Sequence, residues 1–94
     1  IMATEREIRL KASLESYKRV STVHLYQFEI DTEDIVLGFK ATLKKRTRNL
    51  VKAINIRAKL ISDLGSFISP SVRIKAIRFY TDGELKHSQT AVLD

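Results

Sequence analysis

The chain has no cysteine and no tryptophan, one proline, three glycines, and no apolar run near the roughly 20 residues that a bilayer span needs. The missing cysteines exclude disulfide staples, thiolate chemistry and cysteine-based zinc sites. With so few prolines and glycines, regular structure must occupy most of the chain and its connections must be short. Acidic residues are missing from one long stretch. From Ile35 to Ser62 there are eight Lys and Arg and not one Asp or Glu. Subtracting that +8 from the formal net charge of +6 leaves −2 for the rest, so all of the positive excess sits in one segment.

What is present suits one compact domain over 1–94, with residues 1–4 expected to be a flexible terminus. Hydrophobic residues make up 44% of 94 positions, too many for a disordered tail. The start, Ile-Met-Ala-Thr-Glu-Arg-Glu, lacks the apolar centre of a signal peptide, and Ile1 ahead of Met2 reads as a leftover of expression. A soluble, intracellular protein of the cytoplasm or nucleoid is expected.

Periodicity divides the chain. Glu7 to Leu14 alternates apolar and polar residues strictly, as a half-buried strand does. Val20 to Ile30 is rich in strand-favouring residues, yet Leu14, Tyr17, Ser21, Leu25 and Phe28 recur at helical spacing, so residues 15–30 stay open between strand and helix. Asp31-Thr32-Glu33-Asp34 reads as an acidic break. After it Ile35, Leu37, Phe39, Ala41 and Leu43 alternate with Val36, Gly38, Lys40, Thr42 and Lys44, which predicts a strand with one buried face.

A helix is predicted from about Asn49 to Leu64, capped by Asn49 or Thr47 and stopped at Gly65. Its apolar stripe, Leu50, Ile54, Ile61 and Leu64, spans about 80° of arc, with Ala53, Ala58 and Leu60 flanking it. Arg57 falls on that stripe, and is expected to snorkel to the edge, to meet Asp63 or Glu29, or to face a second subunit. Beyond the connector around Pro70, Val72 to Ala76 alternates and then changes side, which predicts a bulge near Ala76. Thr81-Asp82-Gly83-Glu84 is a tight-turn signal, with Leu85 to Leu93 returning antiparallel. The expected fold is α+β: one long amphipathic helix on a four- to five-stranded, mainly antiparallel sheet, in the order β-β-β-α-β-β.

The functional expectation follows from the charge. Lys44-Lys45-Arg46-Thr47-Arg48-Asn49 stands where a strand hands over to a helix, and a helix N-terminus with nearby cations favours an anion. Lys52 and Lys59 extend the charge about 10 Å along the helix. Lys44, Lys45, Arg46, Arg48, Lys52 and Lys59 are the candidate contacts to DNA or RNA phosphates. Lys40, Arg73 and Lys75, like Arg9 and Lys11, fall on polar strand faces, and with Lys18 and Arg19 form a secondary basic set. No aromatic interleaves with these cations; Tyr17 and Tyr26 are left as candidates for base stacking.

Catalysis has little support in the residues, because His24 and His87 are isolated and no phosphate-cradling loop or zinc motif is present. A metal-dependent nuclease needs few carboxylates, so that option stays open. Asp31, Glu33 and Asp34 lack the spacing of a calcium loop. No cofactor, metal, small-molecule ligand or membrane partner is expected, and a homodimer is a possibility. The alternative is an assembly subunit, whose basic segment binds an acidic protein or whose sheet edge pairs with another copy.

Leu43 to Ile54 resembles the strand-to-helix junction of the Alba family of small basic nucleic-acid-binding proteins. Arg46, Thr47 and Arg48 match its Arg-Gly-Arg-like turn, with Thr in place of Gly, and Lys52, Ala53 and Ile54 match the step that opens its second helix. The resemblance implies a β-α-β-α-β-β order and a dimer that binds DNA or RNA with little sequence preference, with Lys18 and Arg19 near a further basic pair. Thr81-Asp82-Gly83-Glu84 is shorter and more acidic than that family's basic arm.

Overall fold

A computed structural model describes residues 4–7 and 23–93. Among these residues, beyond a helical turn at 5–7, four strands and one helix follow in the order β1 (Tyr26–Asp34), β2 (Lys40–Thr47), α1 (Leu50–Asp63), β3 (Val72–Thr81) and β4 (Glu84–Thr90). The strands form one sheet, ordered β2-β1-β3-β4, with every neighbouring pair antiparallel. The fold is α+β, and no helix among the described residues is long and apolar enough to cross a membrane.

Alternation along the central strands builds the core. Phe28, Ile30 and Thr32 of β1 and Ile74, Ile77 and Phe79 of β3 share the face that α1 covers, and all six are buried. Ile77 is fully buried, and Phe28 meets Phe79 edge to face at 5.5 Å, a favoured aromatic geometry. The predicted bulge is present: Asp31 pairs with Ala76 and Thr32 with Ile74, so Lys75 is the extra residue and the inward phase shifts by one. The predicted hairpin is present too, with Asp82 and Gly83 at φ 50° and 81°, the paired positive angles of a tight turn whose twist suits two antiparallel strands.

Asn49 starts α1 by accepting the Lys52 N–H at 3.0 Å, and Thr47 Oγ1 accepts the Asn49 N–H at 3.1 Å. Gly65, at φ 85°, ends it, donating its N–H to the Ile74 carbonyl at 2.9 Å. The inward face lies to one side of the predicted stripe, on its Ala53 and Leu60 flank. Ala53 and Leu60 are buried with Ile56 and Leu64 beside them, whereas Leu50, Ile54 and Ile61 are exposed. Ala53 and Phe28 belong to one buried cluster, and Leu50, Ile54, Arg57 and Ile61 stand to its exposed side.

Two strand expectations are corrected. The predicted strand Glu7–Leu14 lies outside the described residues except for Glu7, which is in a helical turn at residues 5–7 and donates its N–H to Thr4 Oγ1 at 3.2 Å. The acidic break is the second half of β1, because Glu29, Asp31 and Glu33 point to the open face and meet cations there. The alternating run from Ile35 begins as a turn rather than a strand. Asp34 accepts the N–H groups of Val36 (3.0 Å) and Leu37 (2.9 Å), which curls the chain before β2 starts at Lys40. Ile35, Leu37, Phe39, Ala41 and Leu43, the expected buried face, are all exposed.

Candidate nucleic-acid interface

β2 is an edge strand and carries Lys40, Lys44, Lys45 and Arg46 among its eight residues. Strand alternation separates them. Lys44 and Arg46 stand opposite Glu29 and Gln27 on the open face, while Lys45 stands opposite Phe28 on the helix face. Lys45 and Lys59 line a groove between β2 and α1 with Leu43, Ile56, Ile68 and Asp63. Arg46 and Arg48 line a shallow hollow with Leu25 and Thr47, just ahead of the helix start. Lys52 is exposed in the first turn of α1, which has no acidic residue.

The six predicted contacts therefore lie on both faces of the β2 edge and along α1 from its first turn to Lys59, not on one flat patch. Lys44 departs from the rest, since its Nζ lies 3.9 Å from Glu29. The other five make no ion pair with a carboxylate among the described residues. Arg48 reaches Asp82 through its field only.

The secondary basic set is not a free face. Arg73 donates from Nε to the Gly65 carbonyl at 2.6 Å and lies over the Phe67 ring, so it closes the helix C-terminus. Lys75 lies 3.9 Å from Glu33, and Lys40 stands opposite Glu33 in the ladder. Lys18, Arg19, Arg9, Lys11 and Tyr17 lie outside the described residues. Tyr26 sits half-buried in a groove with Leu50, Ala53 and Ile54, and Arg57 covers the Phe79 ring at 5.2 Å instead of meeting Asp63 or Glu29.

Sequence reasoning missed the network that governs the open face. Arg78 grips Asp31 with two bonds, 2.6 and 2.8 Å, and reaches Glu29 Oε1 at 3.1 Å, where the Tyr80 hydroxyl also donates at 2.8 Å. Arg78 holds the Asp31 carboxyl below its ordinary range, with help from the Thr42 hydroxyl; the Tyr80 bond and then Arg78 do so for Glu29. Tyr80 and Arg78 shift upward in turn, each through its bond to a carboxylate. The signal was available, because Glu29, Asp31 and Glu33 alternate along one strand, and on another Lys75 is the bulged residue with Arg78 three positions on. At the same end of the sheet as Arg46 and Arg48, Asp82 accepts the Leu25 N–H (2.9 Å) and contacts His24 Nδ1 (2.6 Å), which fixes the start of β1 and holds the Asp82 carboxyl low.

Compared with protein-family models, with curated proteins and with solved structures, the chain finds no match. In the Alba-like order a helix stands directly before the strand that leads into the second helix. Here β1 stands there, joined to β2 by a turn, and from Lys40 onward the order is strand, helix, strand, strand.

Proposed function

We propose that this domain binds nucleic acid without catalysis, through phosphate contacts from Lys45, Arg46, Arg48, Lys52 and Lys59. The observation that carries this reading is a difference in pairing. The acids of the central strand are engaged by Arg78, Lys75 and Lys44, whereas the five cations around the β2 edge and along α1 have no ion-pair partner among the described residues. A polyanion supplies the missing counter-charge, and the N-terminus of α1 adds its partial positive charge beside Lys52. The junction's likeness to the Alba family points the same way.

Contacts of this kind set position and affinity, and read sequence weakly. The β2 edge does not suit pairing with β2 of another copy, because four like charges over eight residues repel and such lysines keep edge strands apart. A mobility-shift panel of single- and double-stranded DNA and RNA at two salt concentrations tests the proposal. A shift at low salt that weakens steeply at high salt is expected; no shift of any polymer at low salt refutes it, and an acidic protein then becomes the partner to seek.

A further inference from the structure

The β1–β2 turn carries a second, apolar feature. Ile35, Val36, Leu37 and Phe39 are 51%, 75%, 65% and 70% exposed, four large apolar side chains within five residues. This is not a loose loop. Asp34 Oδ1 accepts the Val36 and Leu37 N–H groups, Asp34 Oδ2 accepts the Ser71 hydroxyl at 3.1 Å, and the Ile35 N–H donates to the Ser71 carbonyl at 2.9 Å. The Asp34 N–H donates to the Phe39 carbonyl and the Gly38 N–H to the Asp34 carbonyl, both at 2.8 Å, with Gly38 at φ 77°. The backbone is locked in a shape that holds its apolar side chains out into water, where they make an uncommonly concentrated hydrophobic patch.

Distance and charge decide among the surfaces that would cover such a tip. Arg46 lies seven residues up β2 from Phe39, about 23 Å at ~3.3 Å per residue. A lipid surface that received the tip would leave Arg46 and Arg48 more than two Debye lengths away, at about 8 Å each. Near the tip Glu33 and Asp34 offset Lys40 and Lys75, so little there favours an anionic bilayer. A second copy presents the same tip and brings no counter-charge to the unpaired cations of β2. An extended polyanion lying along the edge strand reaches both the tip and the cations, and 23 Å is the length of about seven stacked base pairs at ~3.4 Å.

Resting on the nucleic-acid reading above, we propose that the Ile35–Phe39 tip is an apolar wedge. It enters a base step of duplex DNA while the cations at the far end of β2 hold phosphates about seven base pairs along the duplex. Insertion of aliphatic and aromatic side chains unstacks a step and kinks the duplex, and the rigid turn means that no loop ordering opposes it. The ligand class is therefore double-stranded DNA with a deformable step, such as TA or CA/TG, and the product of binding is a bent duplex.

The test is a duplex of about 20 base pairs with 2-aminopurine at a central TA step and a donor–acceptor dye pair at its ends. With the full chain at low salt, several-fold brightening of 2-aminopurine and a shortened end-to-end distance are expected. The Val36→Ser, Leu37→Ser, Phe39→Ser variant is expected to bind with the same salt slope, roughly tenfold more weakly, and to lose both signals. If that variant does not fold, Val36→Ser with Leu37→Ser serves, with unchanged circular dichroism as the control. Duplex binding by the wild-type chain without brightening overturns the wedge and leaves the phosphate reading standing. Equal brightening by the variant also overturns it, as does tip-dependent binding to phosphatidylserine vesicles with undisturbed stacking. Absence of any duplex shift at low salt overturns the wedge, and absence of a shift with every single- and double-stranded DNA and RNA overturns the phosphate reading as well.

Discussion

Replacing Arg78 with leucine removes the only cation that touches both Asp31 and Glu29 among the described residues. Bonds to charged groups are each worth about 1.5–3 kcal/mol where water is excluded. Asp31 and Arg78 are 33% and 27% exposed at the side chain, so solvent screening brings the paired bonds between them to about 2 kcal/mol in all. For a domain of this size that lowers Tm by roughly 8–16 °C. The pH dependence supplies the second signature. In the wild-type chain the Asp31 and Glu29 carboxyls titrate below their ordinary values, so their contribution is present above the unfolded carboxylate pKa and is lost as pH falls through the lowered folded values. In Arg78→Leu two carboxylates two residues apart on one strand face repel each other, and protonation relieves them, so the loss of stability relative to wild type is largest at pH 7 and shrinks below pH 4. Urea unfolding followed by circular dichroism at both pH values measures this. A loss below about 0.5 kcal/mol at pH 7, or one that does not change with pH, refutes the clamp as described. The same variant leaves two carboxylates uncompensated beside Lys44 and Arg46, and duplex affinity is expected to fall in it although Arg78 touches no phosphate.

Truncating Ile77 to alanine empties the one fully buried large side chain among the described residues and is expected to cost about 2–5 kcal/mol in the same unfolding assay; a cost near zero removes the β1–β3 face as the core. Asn49→Ala deletes the side-chain cap on the Lys52 N–H and is expected to cost about 1 kcal/mol, with Asn49→Ser close to wild type by the same measurement. Gly83→Ala meets open space, yet its φ of 81° strains an alanine, so a loss of about 1–2 kcal/mol without any change in the folded far-ultraviolet spectrum is expected.

Local signals were legible and long-range ones were not. Asp82-Gly83, Asn49 and Gly65 are short-range devices whose chemistry fixes the backbone nearby, and the hairpin, the helix start and the helix end lie where those residues predict. The bulge was legible because one extra residue reverses which side chains face inward. The acids of β1 misled for a physical reason: a strand in the middle of a sheet can carry Glu29, Asp31 and Glu33 only if neighbours answer them, and Arg78 is 47 residues from Asp31 in sequence. Ile35 to Phe39 misled in the opposite sense, since alternation promises a buried face and the Asp34 turn holds those residues out. On α1 the larger apolar residues outvoted Ala53, which belongs with Leu60 to the buried flank. The charge excess pointed to a region, but which of its cations are free depended on strand alternation and on Glu29, which takes Lys44 out of the set.

Phosphate binding is tested most directly by duplex affinity, read by fluorescence anisotropy, against salt concentration. Five contacts predict a slope of about −4.5 in log affinity against log salt, or about 500-fold weaker binding at 200 mM than at 50 mM. Arg46→Ala with Arg48→Ala is expected to reduce the slope to about −2.7 and the loss to about 40-fold. A wild-type slope near zero, or one that the double variant leaves unchanged, contradicts the account.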